Sequence, residues 1–232
     1  MEIIRETDPN KIDWIKVYQD GPQRNAIGWD LIAFGAEQFK RATIIQRLTV
    51  LLEAYQGLEQ GVASGMEFRE ILDEVMWNQV VDDVRITLFF ENCMKGILLF
   101  NGVMIHRFKK LDDEERFEKL NRAQNKNPLG IESISLSNIV GSELSGFTIG
   151  MNLMLSKPYQ MLIDLPVELA TIVRRINTRR NELHLHNSIR GELGTAILKD
   201  YEILEAFVDD WLHKREQKLV EWENANEKQE PH

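Results

Sequence analysis

Cysteine is almost absent from this chain of 232 residues, which contains only Cys93. One cysteine cannot form an internal disulfide framework or a cysteine-built zinc site. The sequence also lacks a Gly-rich phosphate-binding loop, a Gly-x-Ser-x-Gly nucleophile elbow and a reactive-cysteine arrangement. These absences exclude the active-site types that those motifs build.

Long apolar runs are also missing. The longest apolar-rich run, Met94–Ile105, contains Lys95 and Asn101 and is too short to cross a bilayer, so we predict a buried helix there. Met1–Asp8 carries three acidic residues and no long apolar core, so no signal peptide is predicted. Together with the low cysteine content, this favours a cytoplasmic protein with no membrane partner.

An excess of positive charge is the third absence, because the formal net charge is −9. Proteins that follow a nucleic-acid backbone over a long track are normally basic, since each neutralised phosphate contributes through counterion release. The charge therefore argues against extended non-specific nucleic-acid binding. A short contact centred on a few arginines remains compatible with it.

Apolar residues recur at spacings of three and four over most of the chain, which is typical of amphipathic helices. Ser64 and Glu67 have the capping-box form and predict a helix start, and no proline interrupts the following residues up to about Phe100. Pro166, with Glu168 in the first turn, predicts the start of another helix. The predicted fold is all-α, an up-and-down bundle of four to five long helices.

Composition divides the chain into regions. Residues 1–30 contain turn signals and are predicted to form an N-terminal arm on a helical domain of residues 31–215. Within that domain, residues 129–157 are rich in Ser, Gly and Ile and predict an irregular insertion, either a β-hairpin or an ordered loop. Residues 216–232 are charge-rich and predict a flexible tail.

The segment Thr178–Asn187 contains two histidines that follow two adjacent arginines. Arginine offers a rigid fork of donors that matches phosphate oxygens, and histidine has an unperturbed pKa near neutral pH. Such a group of side chains can bind a phosphate and transfer a proton. The surrounding region is locally basic, with five arginines within seventeen positions: Arg174, Arg175, Arg179, Arg180 and Arg190.

A second segment upstream begins with Glu91 and Lys95, continues through apolar residues and Gly102, and ends at His106. Taken together, the two segments and the helical pattern resemble the HEPN (higher eukaryotes and prokaryotes nucleotide-binding) domain family. The resemblance covers roughly Leu31–Trp211 apart from the insertion. The hallmark of the family is an Arg, usually followed by a polar residue, with a His after four to six intervening residues at the start of the last long helix.

Three pairings of this sequence satisfy that hallmark. Arg180 precedes His186 with five residues between them, Arg179 precedes His184 with four, and Arg179 precedes His186 with six. We prefer Arg180 with His186, because Asn181 then occupies the polar position that follows the arginine.

The resemblance implies a metal-independent endoribonuclease without a cofactor, acting as a toxin or antiphage effector in toxin–antitoxin, abortive-infection or antiviral defence. The 2′-hydroxyl of RNA would attack the adjacent phosphorus and leave a 2′,3′-cyclic phosphate. His186 would act as general base or acid, Arg180 would stabilise the developing charge, and Asn181 would orient the histidine or the phosphate. His184 and Arg179 are the alternatives in the other pairings.

The resemblance also implies protein partners and further residues that line the catalytic cleft. Members of the family are usually homodimers whose Arg–His motifs meet across the interface, and an antitoxin or regulatory protein would hold the enzyme in check. Glu91, Lys95 and His106 would line the cleft. The alternatives for these three are an ordinary i,i+4 helix pair and a capping or surface histidine.

Two other interpretations remain open for the whole chain. One is a non-catalytic HEPN-like module that binds a nucleotide, RNA or a protein partner. The other is a helical scaffold whose Arg/His cluster is coincidental. A metal site built on His184 and His186 is disfavoured, because residues two apart point to different faces of a helix.

Overall fold

The computed structural model describes residues 13–110, 113–126, 128, 144–182 and 195–227. These residues form helices and a single pair of short strands, so the all-α fold class with a small insertion is confirmed. The helices are α1 (Trp14–Gln19), α2 (Gly21–Lys40), α3 (Ile44–Glu59), α4 (Gly65–Phe100), α5 (Glu114–Lys126), α6 (Met151–Met154), α7 (Lys157–Ile163), α8 (Val167–Glu182) and α9 (Thr195–Glu227). The strands are β1 (His106–Phe108) and β2 (Leu144–Thr148).

Helix α4 begins and ends where the sequence predicts. The Ser64 backbone N–H donates to Glu67 Oε2 over 2.8 Å, and the Glu67 N–H donates to Ser64 Oγ over 3.2 Å. This reciprocal capping box satisfies two of the backbone donors that every helix N-terminus leaves without an intrahelical partner. The helix then continues without a break to Phe100.

The chain divides into two compact units, the first within residues 1–41 and 83–179 and the second within residues 42–82 and 180–232. In the second unit, α3 contacts α9, and the buried core includes Leu48, Leu204 and Val208. The first unit contains α2, the later part of α4, both strands and most of α8. Its most deeply buried side chains include Phe89, Leu98, Leu99, Ile149 and Tyr159.

Two glycines bring α2 and α4 into direct backbone contact in the first unit. A Cβ added at Gly96 would lie 2.5 Å from the Gly28 carbonyl oxygen. A Cβ added at Gly28 would lie 2.6 Å from the Phe100 ring. Only residues without a side chain allow the helices to approach this closely.

Strand β1 pairs antiparallel with β2, with His106 opposite Thr148, Phe108 opposite Leu144, and a register irregularity between them. Strand β2 lies within the predicted insertion, but its partner lies far upstream, next to the end of α4. Three residues are too few to show the alternation that identifies a strand, so β1 could not be predicted. Residues 129–143 of the insertion lie outside the described residues.

The predicted end of the N-terminal arm falls inside a helix. Helix α2 begins at Gly21, with the Asp20 carboxylate accepting a hydrogen bond from the Gln23 N–H at its start. The Gly21-Pro22 dipeptide is typical of a turn, but proline is also favoured in the first turn of a helix, where its missing N–H costs nothing. Trp14 and the rest of α1 lie within the arm.

The predicted flexible tail is also partly helical, because α9 continues to Glu227. High charge does not by itself stop a helix when opposite charges lie four residues apart on its surface. Lys214 and Asp210 form such a pair in α9. The helix therefore extends well beyond position 216, where the sequence predicted that the tail begins.

Candidate functional site

Helix α8 carries the predicted arginines at its C-terminal end. Proline at position 166 directly precedes the helix, and a stripe of buried apolar residues runs along it: Leu169, Ile172, Val173 and Ile176. The stripe ends at Asn177, which is itself buried. Arg179, Arg180 and Asn181 follow it, so they lie where α8 leaves the core.

Arg179 forms a bidentate ion pair with Asp83 of α4. Nε lies 3.0 Å from Oδ2, and Nη2 lies 3.1 Å from Oδ1. The Asp83 side chain is only 3% exposed and that of Arg179 is 25% exposed. Removing one partner would leave the other charge in an environment with little water. We therefore assign a structural role to the Arg179 guanidinium.

Arg180 and Asn181 lie side by side at the end of α8. The Arg180 side chain donates to Asn181 Oδ1 from Nε over 3.4 Å and from Nη2 over 3.2 Å. Arg180 is half-buried and Asn181 is exposed. His184 and His186 lie outside the described residues, so all three Arg–His pairings stay predictions.

The upstream residues Glu91, Lys95 and His106 are brought together in the first unit. Lys95 Nζ lies 2.6 Å from Glu91 Oε1, with side-chain exposures of 10% and 23%. This pair is therefore much more buried than an ordinary helix-surface pair. Lys95 and His106 line the same cavity, and His106 is buried, which removes the surface-histidine alternative.

Tyr18 determines the hydrogen-bonding state of His106. The tyrosine oxygen accepts from the backbone N–H groups of Ile105 (3.1 Å) and His106 (3.2 Å) and lies 2.6 Å from His106 Nδ1. With its acceptor sites occupied, the hydroxyl donates its only proton to Nδ1. In a neutral imidazole the remaining proton then lies on Nε2, which becomes a donor.

Both side chains are held in their neutral forms. Burial, and secondarily the positive charge of Lys95, lowers the pKa of His106 to about 4. Burial raises the pKa of the Tyr18 hydroxyl well above its usual range, partly offset by the two backbone hydrogen bonds. At neutral pH, His106 is therefore a hydrogen-bond donor through Nε2 and a very weak base.

The cavity has a volume of about 620 Å³ and is lined by both polar and apolar side chains. Asn92, Lys95, His106 and Lys109 contribute polar groups. The apolar wall includes Trp14, Ile27 and Leu31, from α1 and α2. The Trp14 ring also stacks on the His106 ring, with centroids 4.1 Å apart and a tilt of 47°.

Sequence reasoning did not find the part that α1 plays in this cavity. The local sequence predicts neither Trp14 nor Tyr18 as part of a site. Tyr18 and His106 are 88 positions apart, and nothing in either local sequence indicates the other. Only covariation between the two positions could have indicated this contact from sequences.

The chain matches no protein-family model, no curated protein and no solved structure. Across the part of the chain that the structure describes, no group of three or more His, Cys, Asp or Glu side chains is arranged to hold a metal ion. Among the described helices, none combines the length and the apolar character of a membrane-spanning segment.

Proposed function

We propose that this chain is a HEPN-type endoribonuclease that acts in the cytoplasm as a toxin or antiphage effector. Arg180, Asn181 and His186 are its catalytic residues, and no metal takes part in cleavage. The observation that supports the proposal is the bidentate Arg179–Asp83 pair, because it favours different tasks for the two adjacent arginines.

The first task is structural. The Asp83 side chain is nearly inaccessible and accepts hydrogen bonds from Nε and Nη2 of Arg179, so Arg179 anchors α8 to α4. An anchored residue directly before Arg180 restricts the positions available to the Arg180 guanidinium, which is the preorganisation that phosphate binding needs. This supports the pairing of Arg180 with His186 over the two pairings that use Arg179.

The second task is catalytic. The guanidinium of Arg180 binds the non-bridging phosphate oxygens, and the Asn181 amide, already in contact with it, orients the phosphate or the histidine. The 2′-oxygen forms a bond to phosphorus as a base removes its proton, and the bond from phosphorus to the 5′-oxygen breaks. That oxygen leaves with a proton, so His186 serves one or both proton transfers, a contribution of about 10²–10⁴-fold.

A homodimer completes this proposal, with the two Arg–His motifs forming one composite cleft. An antitoxin or regulatory protein limits the activity in the cell. Arg174 and Arg175 lie on the same helix and are exposed, which adds positive charge near the phosphate-binding end. That local charge offsets the overall charge of −9 for a short RNA contact.

The test is cleavage of a mixed pool of tRNA, mRNA and rRNA in EDTA, with analysis of the product ends. The wild-type protein should cleave and leave 2′,3′-cyclic phosphates, whereas Arg180→Ala and His186→Ala should lose cleavage by about 10²-fold or more. Arg69→Ala is the control, since it removes an exposed arginine from α4 that has no part in the proposed RNA contact. It should retain most of the activity.

Other outcomes separate the alternatives. Loss of cleavage only in His184→Ala would move the catalytic pairing to His184 and keep the enzyme. RNA binding by a folded wild-type protein without turnover would support the non-catalytic binding module. Neither binding nor cleavage would leave the scaffold interpretation.

A further inference from the structure

Two largely buried side chains, Lys95 and His106, line the cavity of the first unit and carry donors for which the described residues supply no acceptor. Lys95 Nζ has three N–H donors and uses one of them in a hydrogen bond to Glu91 Oε1. His106 Nε2 carries a proton because Tyr18 donates to Nδ1. Neither the other Lys95 protons nor His106 Nε2–H has a partner in residues 13–110, 113–126, 128, 144–182 and 195–227. Such donors are satisfied by solvent or by a ligand, so acceptor atoms of a ligand can take these positions in the cavity.

Two lysines contribute positive charge to the cavity lining. The positive charge of Lys95 contributes to lowering the pKa of His106. The ammonium therefore still acts on the imidazole, although it is paired with Glu91. Lys109 lines the same cavity and is exposed, so it adds a second positive charge at the surface. Acceptor atoms that carry negative charge suit such a site best.

The acidic residue that lines the cavity is partly compensated. Asp13 also lines the cavity, but its carboxylate accepts a hydrogen bond from the Lys16 N–H over 3.4 Å. It also lies 3.9 Å from Lys16 Nζ. Both contacts belong to the start of α1, where a carboxylate is favoured by the helix dipole.

Part of the remaining cavity lining is apolar and includes an aromatic face. Trp14 packs over the His106 ring, and Ile27 and Leu31 extend the wall along α2. A volume of about 620 Å³ is in the range of small-molecule sites, which combine a mostly apolar lining with a few placed polar groups. An inorganic ion alone would leave this wall without contacts.

We propose that this cavity binds a small organic anion. Its carboxylate or phosphate oxygens accept hydrogen bonds from Lys95 Nζ and His106 Nε2–H, and its apolar or aromatic body lies against Trp14, Ile27 and Leu31. Glu91 positions the Lys95 ammonium, and Tyr18 positions the imidazole. This site does not depend on the proposed RNA cleavage, because none of its residues belongs to the Arg180–His186 group.

The experiment is calorimetric titration of the full chain with two matched probe pairs. Indole-3-acetate is compared with neutral indole-3-acetamide, and uridine 5′-monophosphate with uridine. In at least one pair the anion should bind about tenfold or more tightly than its neutral partner, because a charge-assisted hydrogen bond is lost in the neutral probe. The pair that shows the preference distinguishes a carboxylate ligand from a phosphate ligand.

Variants show whether the preference arises in this cavity. Glu91→Gln combined with Lys95→Met removes both charges together, so no buried charge is left without a partner. This double variant should lose the preference for the anion and keep the affinity for the neutral probe. Lys119→Met, the same substitution at an exposed position of α5, should bind as the wild type does.

His106→Phe gives an independent check, since it keeps a ring against Trp14 and removes the Nε2–H donor. It should weaken the anion by about tenfold. The proposal is overturned if anion and neutral probe bind equally in both pairs, or if the preference survives in the double variant. Binding of all four probes to the wild type weaker than about 1 mM would also overturn it.

Discussion

The Tyr18 hydroxyl oxygen lies 2.6 Å from His106 Nδ1, although the two residues are 88 positions apart in the chain. The same oxygen accepts the backbone N–H groups of Ile105 and His106 at the point where β1 begins. One hydroxyl on α1 therefore holds the strand backbone and selects the imidazole tautomer at once. The tautomer of His106, which lines the cavity, therefore depends on Tyr18, which is not among the lining residues.

Substitution of Tyr18 by phenylalanine should destabilise the protein. The change leaves two buried backbone donors without an acceptor and His106 Nδ1 without a donor, and we expect a loss of about 2–4 kcal/mol in the free energy of unfolding. Urea unfolding at pH 7.5 measures it. Tyr55→Phe is the control, since Tyr55 is 47% exposed and should change stability by less than about 0.5 kcal/mol. Equal effects of the two substitutions would contradict the assigned network.

Stability should fall in mild acid because of His106. Its native pKa of about 4 lies below the ordinary value of 6.5, so the unfolded state binds the proton first. The contribution of the neutral imidazole is complete above pH 6.5, declines as the pH falls, and stops changing below about pH 4. The full loss is up to about 3 kcal/mol.

The reference for this prediction is His106→Gln, which cannot take up a proton. The difference in unfolding free energy between the wild type and this variant should shrink as the pH is lowered from 7 to 4.5. Because other carboxyl groups titrate in both proteins, their effects cancel in the difference. A difference that does not change with pH would show that the native imidazole is protonated as easily as the unfolded one.

Arg179 and Arg180 should differ sharply in their effects on stability. Arg179→Ala removes the bidentate ion pair of the buried Asp83 carboxylate and should cost about 3–5 kcal/mol, whereas Arg180→Ala should cost less than about 1 kcal/mol. Thermal unfolding of the two variants tests this. Asp83→Leu combined with Arg179→Met replaces the pair by apolar groups and should recover most of the loss. If the double variant is no more stable than Arg179→Ala, the loss of charge compensation at Asp83 is not the cause.

Gly96→Ala should be strongly destabilising. The added Cβ would lie 2.5 Å from the Gly28 carbonyl oxygen, so α2 and α4 must separate, at a cost of about 1–3 kcal/mol or more. Gly65→Ala is the matched substitution in the same helix, where nothing lies within 4 Å of the new Cβ. It should leave stability unchanged or raise it by up to about 1 kcal/mol, because alanine favours helices. Chemical denaturation of both variants compares them directly.

Helix α4 illustrates what could be predicted from the sequence. Its start is encoded by Ser64 and Glu67, three residues apart, and its length by an apolar repeat that no proline interrupts, so both are local signals. The pairing of β1 with β2 is not local. It joins segments that are more than thirty residues apart, and a three-residue strand carries no periodicity of its own.

The candidate sites divide in the same way. The Arg/His cluster and the Glu91–Lys95 spacing can be recognised along the chain. The choice between Arg179 and Arg180 depends on Asp83, which lies 96 positions earlier and looks like any other acidic residue in a long helix. Likewise, no pattern connects α1 with His106. These relationships arise only from tertiary packing.

The contact between Gly28 and Gly96 also bears on how this cavity could diversify. Ile27 and Leu31 lie close to Gly28 along α2, and Lys95 directly precedes Gly96 in α4, so the two glycines set the spacing of two walls of the cavity. The limit on that spacing comes from main-chain atoms and not from the lining side chains. Substitutions of the lining residues would therefore change the preferred ligand and leave the distance between α2 and α4 unchanged.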